Sequence, residues 1–167
     1  NGDCVSTEIH ANFTLAVEIN CNARLTCSYQ TIYAQYGEIL RLNCNGVDAC
    51  IHSDIHPPSM DAAKQFIVSC LDAGACRNTQ VLCPINGNCI VDCAVDYSCD
   101  NTEIILGTTS RSNSSLSLMC HGDCHNIVIN GTYATSIKIN CSTSKCENIT
   151  ILADLAGSIS GLCVMDD

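Results

Sequence analysis

A cysteine pair that recurs at fixed spacing is the strongest constraint on what this chain can fold into. Cys-x5-Cys occurs five times, as Cys21/Cys27, Cys44/Cys50, Cys70/Cys76, Cys83/Cys89 and Cys93/Cys99. Two shorter versions follow, Cys120/Cys124 and Cys141/Cys146, and of the sixteen cysteines only Cys4 and Cys163 stand outside these pairs. An even count at regular local spacing reads as a disulfide framework made in an oxidising compartment. We expect each pair to bond locally; pairing between neighbouring units is the alternative. Recurrence at a fixed period also points to a stack of like units.

The flanks of the pairs say what each unit is. Before the first cysteine stand Val17-Glu18-Ile19-Asn20-Cys21, Leu40-Arg41-Leu42-Asn43-Cys44, Phe66-Ile67-Val68-Ser69-Cys70, Leu116-Ser117-Leu118-Met119-Cys120 and Ile137-Lys138-Ile139-Asn140-Cys141. The fourth and second residues before that cysteine are apolar in each. This period of two marks a strand with one buried face, so the first cysteine points inward too. After the second cysteine, Asn78, Asn101, Asn126 and Asn148 all sit two places on. Asn tolerates turn geometry and bonds nearby backbone, and stacked copies of it can form a ladder. Each unit therefore reads as strand, disulfide-closed turn, Asn corner, strand.

First cysteines at 21, 44, 70, 93, 120 and 141 step by 23, 26, 23, 27 and 21 residues, the length of a solenoid coil. The expected fold is an all-β, disulfide-stapled β-solenoid of six or seven coils, roughly 30 Å long at about 4.8 Å per coil. A disulfide-rich β-sandwich, with the strands flanking each turn as hairpin partners, is the alternative. We expect a single domain over 1–167, with repeat coils over 15–163 and an N-terminal strand or assembly segment over 1–14. Insertions are expected at His56-Pro57-Pro58-Ser59, with a helical turn over Met60–Lys64, and at the polar run Thr108–Ser115.

Composition narrows the function. Net charge is −10 with seven Lys plus Arg, which disfavours a phosphate backbone or an anionic membrane as partner. No stretch approaches the roughly 20 apolar residues of a membrane span. Without Trp and with two Phe, the core must be built from Ile, Leu, Val, Ala and Cys. The start Asn1-Gly2-Asp3-Cys4 lacks Met and an apolar leader, so we expect a processed, secreted, extracellular chain. Five glycosylation sequons, at Asn12, Asn113, Asn130, Asn140 and Asn148, agree with that compartment.

Other constellations favour bland roles. Zinc prefers closer cysteine pairs than x5, so no metal site is expected. His52 and His56, ahead of Pro57 and Pro58, and His121 and His125, around Cys120 and Cys124, read as surface turn residues. Asp48, Asp72, Asp96 and Asp123 lie between paired cysteines, with Asp92 and Asp100 nearby. Stacked, they would offer oxygen ligands to Ca²⁺, but Asp is also an ordinary turn residue, and we expect no cofactor beyond N-linked glycans. No paired carboxylates or nucleophile constellation stands out, so the chain is not expected to be an enzyme. Rows of Thr-x-Thr, which an ice-binding solenoid needs, are missing.

The ends attract attention instead. A solenoid leaves unpaired strands at both ends, and soluble repeat proteins normally cap them. Neither terminus carries an amphipathic capping helix. Cys4 and Cys163 would lie too far apart to bond to each other within one linear solenoid, yet between successive copies they can meet; the alternative is a compact monomer in which each makes a non-local bond to a neighbouring coil. A head-to-tail contact that does not close yields a filament.

The recurring Cys-x5-Cys, with Ile-x-Ile-x-Cys before it and Cys-x-Asn after it, resembles cysteine-rich β-solenoid surface and extracellular fibril proteins of unicellular eukaryotes, algae and other protists among them. The resemblance implies an extracellular structural or adhesive role and brings no catalytic residues. We therefore expect a secreted, N-glycosylated structural subunit that polymerises with itself into a fibril or surface layer. The alternative is a module that binds glycan or protein through Tyr29, Tyr33, Tyr36, Tyr97 or Tyr133.

Overall fold

A computed structural model describes residues 8–11, 16–34, 38–57, 64–106, 109–110, 112–142 and 146–163. It is all-β: among the described residues there is no helix, and the chain winds through about six turns of a β-solenoid. The first sheet holds β1 (Glu8–Ala11), β3 (Thr31–Ala34), β5 (Asp54–His56), β7 (Gln80–Leu82), β9 (Glu103–Ile105), β12 (Val128–Asn130) and β15 (Thr150–Leu152). The second holds β2 (Ala16–Cys21), β4 (Ile39–Cys44), β6 (Gln65–Cys70), β8 (Asn86–Cys93), β10 (Asn113–Cys120), β13 (Ser136–Cys141) and β16 (Ile159–Cys163). A small third sheet joins β11 (Cys124–His125) to β14 (Cys146–Glu147).

The chain alternates between the two large sheets, and every strand pair is parallel. Parallel neighbours cannot be hairpin partners. The strands on either side of each cysteine turn belong to different sheets, which disposes of the sandwich alternative. Register is kept throughout, so inward residues fall into columns. In the first sheet Ile32, Ile55, Val81, Ile104 and Ile129 are stacked and fully buried. In the second sheet Leu40, Phe66, Cys89, Leu116 and Ile137 form one column, and Leu42, Val68, Val91, Leu118 and Ile139 the next. These columns are the core, and each side chain in them contributes about 1.5–3 kcal/mol by leaving water.

Six staples close the same corner of successive coils: Cys21–Cys27, Cys44–Cys50, Cys70–Cys76, Cys93–Cys99, Cys120–Cys124 and Cys141–Cys146. Loops this short are worth about 2 kcal/mol each in the chain-entropy account. Cys83–Cys89 has the same spacing but a different place. It joins the end of β7 to an inward position of β8, and so closes the opposite corner, where the chain passes from the first sheet to the second.

The stapled corner has a conformational demand that recurs coil by coil. The residue two places after the second cysteine has positive φ in six coils: Tyr29, His52, Asn78, Asn101, Asn126 and Asn148, all between 54° and 56°. A second left-handed position, four places after the first cysteine, holds Leu25, Asp48, Gly74 and Tyr97. Corners also bond to one another. The Asn78 N–H donates to the Asp100 carbonyl at 2.9 Å and the Asn101 N–H to the His125 carbonyl at 3.1 Å. Inside the corner the buried hydroxyls of Ser53, Thr79 and Thr102 donate to the carbonyls of Cys27, Cys50 and Cys76, at 2.6, 2.6 and 2.8 Å. Gly46 is needed for approach: a Cβ there would stand 2.6 Å from the carbonyl oxygen of Ala23 in the coil before it.

Two sequence expectations need correction or qualification. Asn113, Ser114 and Ser115 are not loop but the first residues of β10, which pairs with β8 over eight positions, with Ser114 buried opposite Gly87. The polar side chains of Asn113, Ser114 and Ser115 concealed the strand. Met60 to Ala63 of the expected helical turn lie outside the described residues.

Two substitutions test this account. Ile129→Ala should cost about 2–5 kcal/mol, the usual range for emptying a sealed core site, and Ile151→Ala one coil on should cost clearly less because Ile151 is only half-buried. Denaturant unfolding of the oxidised chain reads both. At the corner, Asn101→Gly should be close to neutral, whereas Asn101→Val should lose about 1–2 kcal/mol through its left-handed backbone.

Candidate functional site

The core columns run out at both ends of the solenoid. Ile127, Ile129 and Ile137 are fully buried, but their counterparts one coil later are not: Ile149 and Ile151 are half-buried and Ile159 is 51% exposed. Leu155, in the turn before β16, is 63% exposed. At the other end Val17 and Ile19 of β2 are half-buried, although Leu40 and Leu42 beside them are sealed. The later end also holds a recess of about 400 Å³, lined by Ile139, Ile149, Ile151, Ile159 and Gly161 among others. Gly161 stands in the column that carries Leu42, Val68, Val91, Leu118 and Ile139 in earlier coils. Its missing side chain opens the recess: a Cβ there would meet only the Ile139 carbonyl oxygen, at 3.7 Å.

The backbone is open at the same places. β15 and β16 are the last strands of their sheets at one end, and β1 and β2 at the other. Among the described residues each pairs on one side only, which leaves a row of backbone donors and acceptors along its other edge. The site is therefore two open strand edges over an apolar floor at either end of the rod.

Cys163 belongs to this surface. It is paired in register with Cys141, so it occupies the place of a first cysteine in a seventh coil. The Cys163 side chain and the whole of Cys4 lie outside the described residues.

The remaining candidate residues lie along the sides. Asn113 is exposed and accepts a hydrogen bond from Thr135 Oγ1 at 3.1 Å. Asn130 and Asn140 point outward from β12 and β13, and exposed Asn148 donates to Asn126 Oδ1 at 3.3 Å, a rung of the expected corner ladder. Asn12 lies outside the described residues. Several of the described acidic groups serve as local ties. Asp48 pairs with Arg77 at 3.0 Å, Asp72 accepts from the Ala73 N–H at 2.8 Å, and Asp96 accepts from the Asp123 N–H at 3.0 Å. Asp92 and Asp100 each face a histidine, His121 and His125, at 3.6 Å. Sulfurs of Cys93, Cys120 and Cys124, and of Cys120, Cys141 and Cys146, lie within 4.8 Å of one another, but all are in disulfides and so are not thiolate ligands.

Two aromatic stacks mark the early coils. Tyr29 lies on His52 with ring centres 5.1 Å apart, and Tyr33 on His56 at 4.6 Å. Each of these tyrosines stacks on a histidine of the next coil; Tyr36 lies outside the described residues. Burial holds the His56 imidazole below its usual pKa, with Asp54 opposing this. Among the described residues no helix is long and apolar enough to cross a membrane.

These features define a disulfide-stapled parallel β-solenoid, and so many disulfides are typical of extracellular proteins. Compared with family models, curated proteins and solved structures, the chain matches none.

His56 supplies a test of the stacked surface. A group whose folded pKa lies below its unfolded value of about 6.5 favours folding above that pH and opposes it as pH falls below. NMR titration should place the His56 midpoint under 6.5. Relative to His56→Gln, the native chain should lose extra stability on acidification below that point.

Proposed function

We propose that this chain is a secreted, N-glycosylated structural subunit that assembles head-to-tail into an extracellular fibril or surface layer. One observation carries the reading: among the described residues, the side-chain columns that are sealed in the middle coils are less covered at both ends, beneath strand edges that pair on one side. A second coil laid on either end would bury the exposed Ile159 and the half-buried Ile151, and would pair the free backbone groups, as each coil already does for its neighbour. Head-to-tail contact joins unlike ends and does not close, so it propagates. The local staples support an oxidising destination, and the sequons at Asn113, Asn130, Asn140 and Asn148 lie on the flanks, where glycans would coat a fibril without occupying its joints. The acidic surface keeps fibrils apart laterally.

A binding module is the second reading, favoured by the exposed Tyr29–His52 stack and its neighbour Tyr33–His56. Flat rings on one face suit a sugar ring or a planar partner group.

Electron microscopy and sedimentation of the oxidised, glycosylated chain separate the two. Regular filaments one solenoid wide are expected. Uniform monomers over a wide concentration range would sink the fibril reading, and loss of ligand retention in Tyr33→Ala without change of mass would install the binding module in its place.

A further inference from the structure

The corner row that holds Leu25, Asp48, Gly74 and Tyr97 is interrupted in the coil closed by Cys70–Cys76. Gly74 leaves its place in the row without a side chain, and with φ of 66° it adopts a backbone form that glycine takes freely. Asp48, one coil earlier, leans into the space, so that a Cβ on Gly74 would collide with its carboxylate. There Asp48 Oδ1 accepts a hydrogen bond from Arg77 Nη2 at 3.0 Å. Tyr97 stands one coil on, so Asp48 and Tyr97 are two layers apart, roughly 10 Å at about 4.8 Å per coil. Between them opens a recess of about 310 Å³, lined by Val47, Asp48, Gly74, Arg77, Tyr97 and Asp100 among others. The stacked rings of Tyr29, His52, Tyr33 and His56 are not part of its lining.

The lining holds unused bonding capacity of both kinds. The N–H groups of Leu25, Asp48 and Tyr97 each donate to a carbonyl of the next coil, at 3.3, 3.2 and 3.0 Å, but among the described residues that of buried Gly74 makes no such bond. A buried amide of this kind calls for water or a ligand as its partner. Asp100 Oδ1 is buried and accepts no hydrogen bond from a described residue, with His125 Nδ1 3.6 Å away. Arg77 reaches Asp48 through Nη2, and a guanidinium carries five N–H donors, so others remain. The Tyr97 ring is half exposed and is backed by the His125 ring, with centres 5.5 Å apart.

We propose that this recess binds a neutral pyranose, either a free sugar or the end of a glycan chain. The mixed lining selects for it. Asp100 repels an anion, as does the net charge of −10. Arg77 repels a cation. A ligand that suits both is neutral and donates and accepts at once, as a ring of vicinal hydroxyls does. The hydroxyls donate to the carboxylates of Asp48 and Asp100, and their oxygens accept from Arg77 and from the Gly74 amide. The apolar C–H face of the sugar lies on the Tyr97 ring, whose body is apolar and whose tip is polar. The volume stands at the lower limit of small-molecule sites, roughly 300 Å³, and so suits one ring rather than a chain. The site is independent of assembly, and in a fibril it would recur once per subunit along the flank.

The oxidised chain, labelled with ¹⁵N, is titrated with the methyl glycosides of glucose, galactose and mannose. A fluorescent sample is laid on an array of glycans with neutral, amino-sugar and sialic-acid ends. Amide shifts at Gly74, Tyr97 and Asp100 are expected with at least one neutral probe, with Kd on the order of 1 mM for a ligand of this size. Tyr97→Ala and Asp100→Asn should each weaken binding about tenfold while keeping the folded circular dichroism spectrum. Lys138→Ala, on the outer face of β13, should bind like the native chain. Equal affinity for the methyl glycoside and the longer glycan assigns a free sugar, and much tighter binding of the glycan assigns a chain end; both uphold the site. Preference for amino-sugar or sialic-acid ends would overturn the inference. So would binding that Tyr33→Ala abolishes and Tyr97→Ala leaves intact. Absence of shifts at these three residues up to roughly 10 mM probe, with an empty array and a folded spectrum, would also overturn it.

Discussion

Parallel backbone pairing in unbroken register is the constraint on which everything else in this molecule rests. It lays equivalent residues of each coil over one another, so a single choice of side chain is repeated as a column. Ile32, Ile55, Ile104 and Ile129 fill the first sheet's interior with little besides isoleucine. The same register places the corner residues in rows, where Ser53, Thr79 and Thr102 find the carbonyl of the coil before at nearly the same distance. A core of this kind is narrow and repetitive, which explains how the chain dispenses with tryptophan and nearly with phenylalanine. Its weakness is inherent: a stack has no means of covering its last layer with itself.

Much of this was legible because side-chain direction alternates along a strand. Leu40, Leu42 and Cys44 stand out from Arg41 and Asn43 without any structure, and coil-length steps between such strands favour a solenoid, while only the parallel pairing itself excludes the hairpin sandwich. What escaped has physical reasons. Cys83–Cys89 copies the spacing of the other staples, and spacing alone does not say which corner it closes. The asparagine at the corner is a sign of positive φ, yet Tyr29 and His52 meet the same demand with ill-suited side chains, so the rule was visible in four coils and hidden in two. The seventh coil was obscured by Gly161, which breaks the apolar alternation at the inward position where it most mattered. Of the candidate site, the open ends followed from the solenoid itself, whereas the recess and the half-buried Val17 and Ile19 depend on packing that no pattern of residues announces.

Electrostatics plays a local part here. The strongly acidic composition looks in sequence like a potential cation-binding face. In three dimensions the carboxylates are dispersed to separate tasks, holding Arg77, the Ala73 amide and the Asp123 amide. Their spacing around the stapled corner follows from the turn's need for short polar side chains, and the net charge is a by-product of filling that need coil after coil.

The staples also decide how such a rod would answer to force. Among the described residues each of seven disulfides lies within a single coil and none ties one coil to another. Tension along the axis is therefore carried between layers by backbone hydrogen bonds and by the one covalent strand of the chain passing upward. If a layer peels away, the residues enclosed by its disulfide cannot straighten, and less slack is released than the coil's length would allow. The rod would yield in short, equal steps and rewind from a turn that is already formed, behaving less like a rope than like a spring with welded bends.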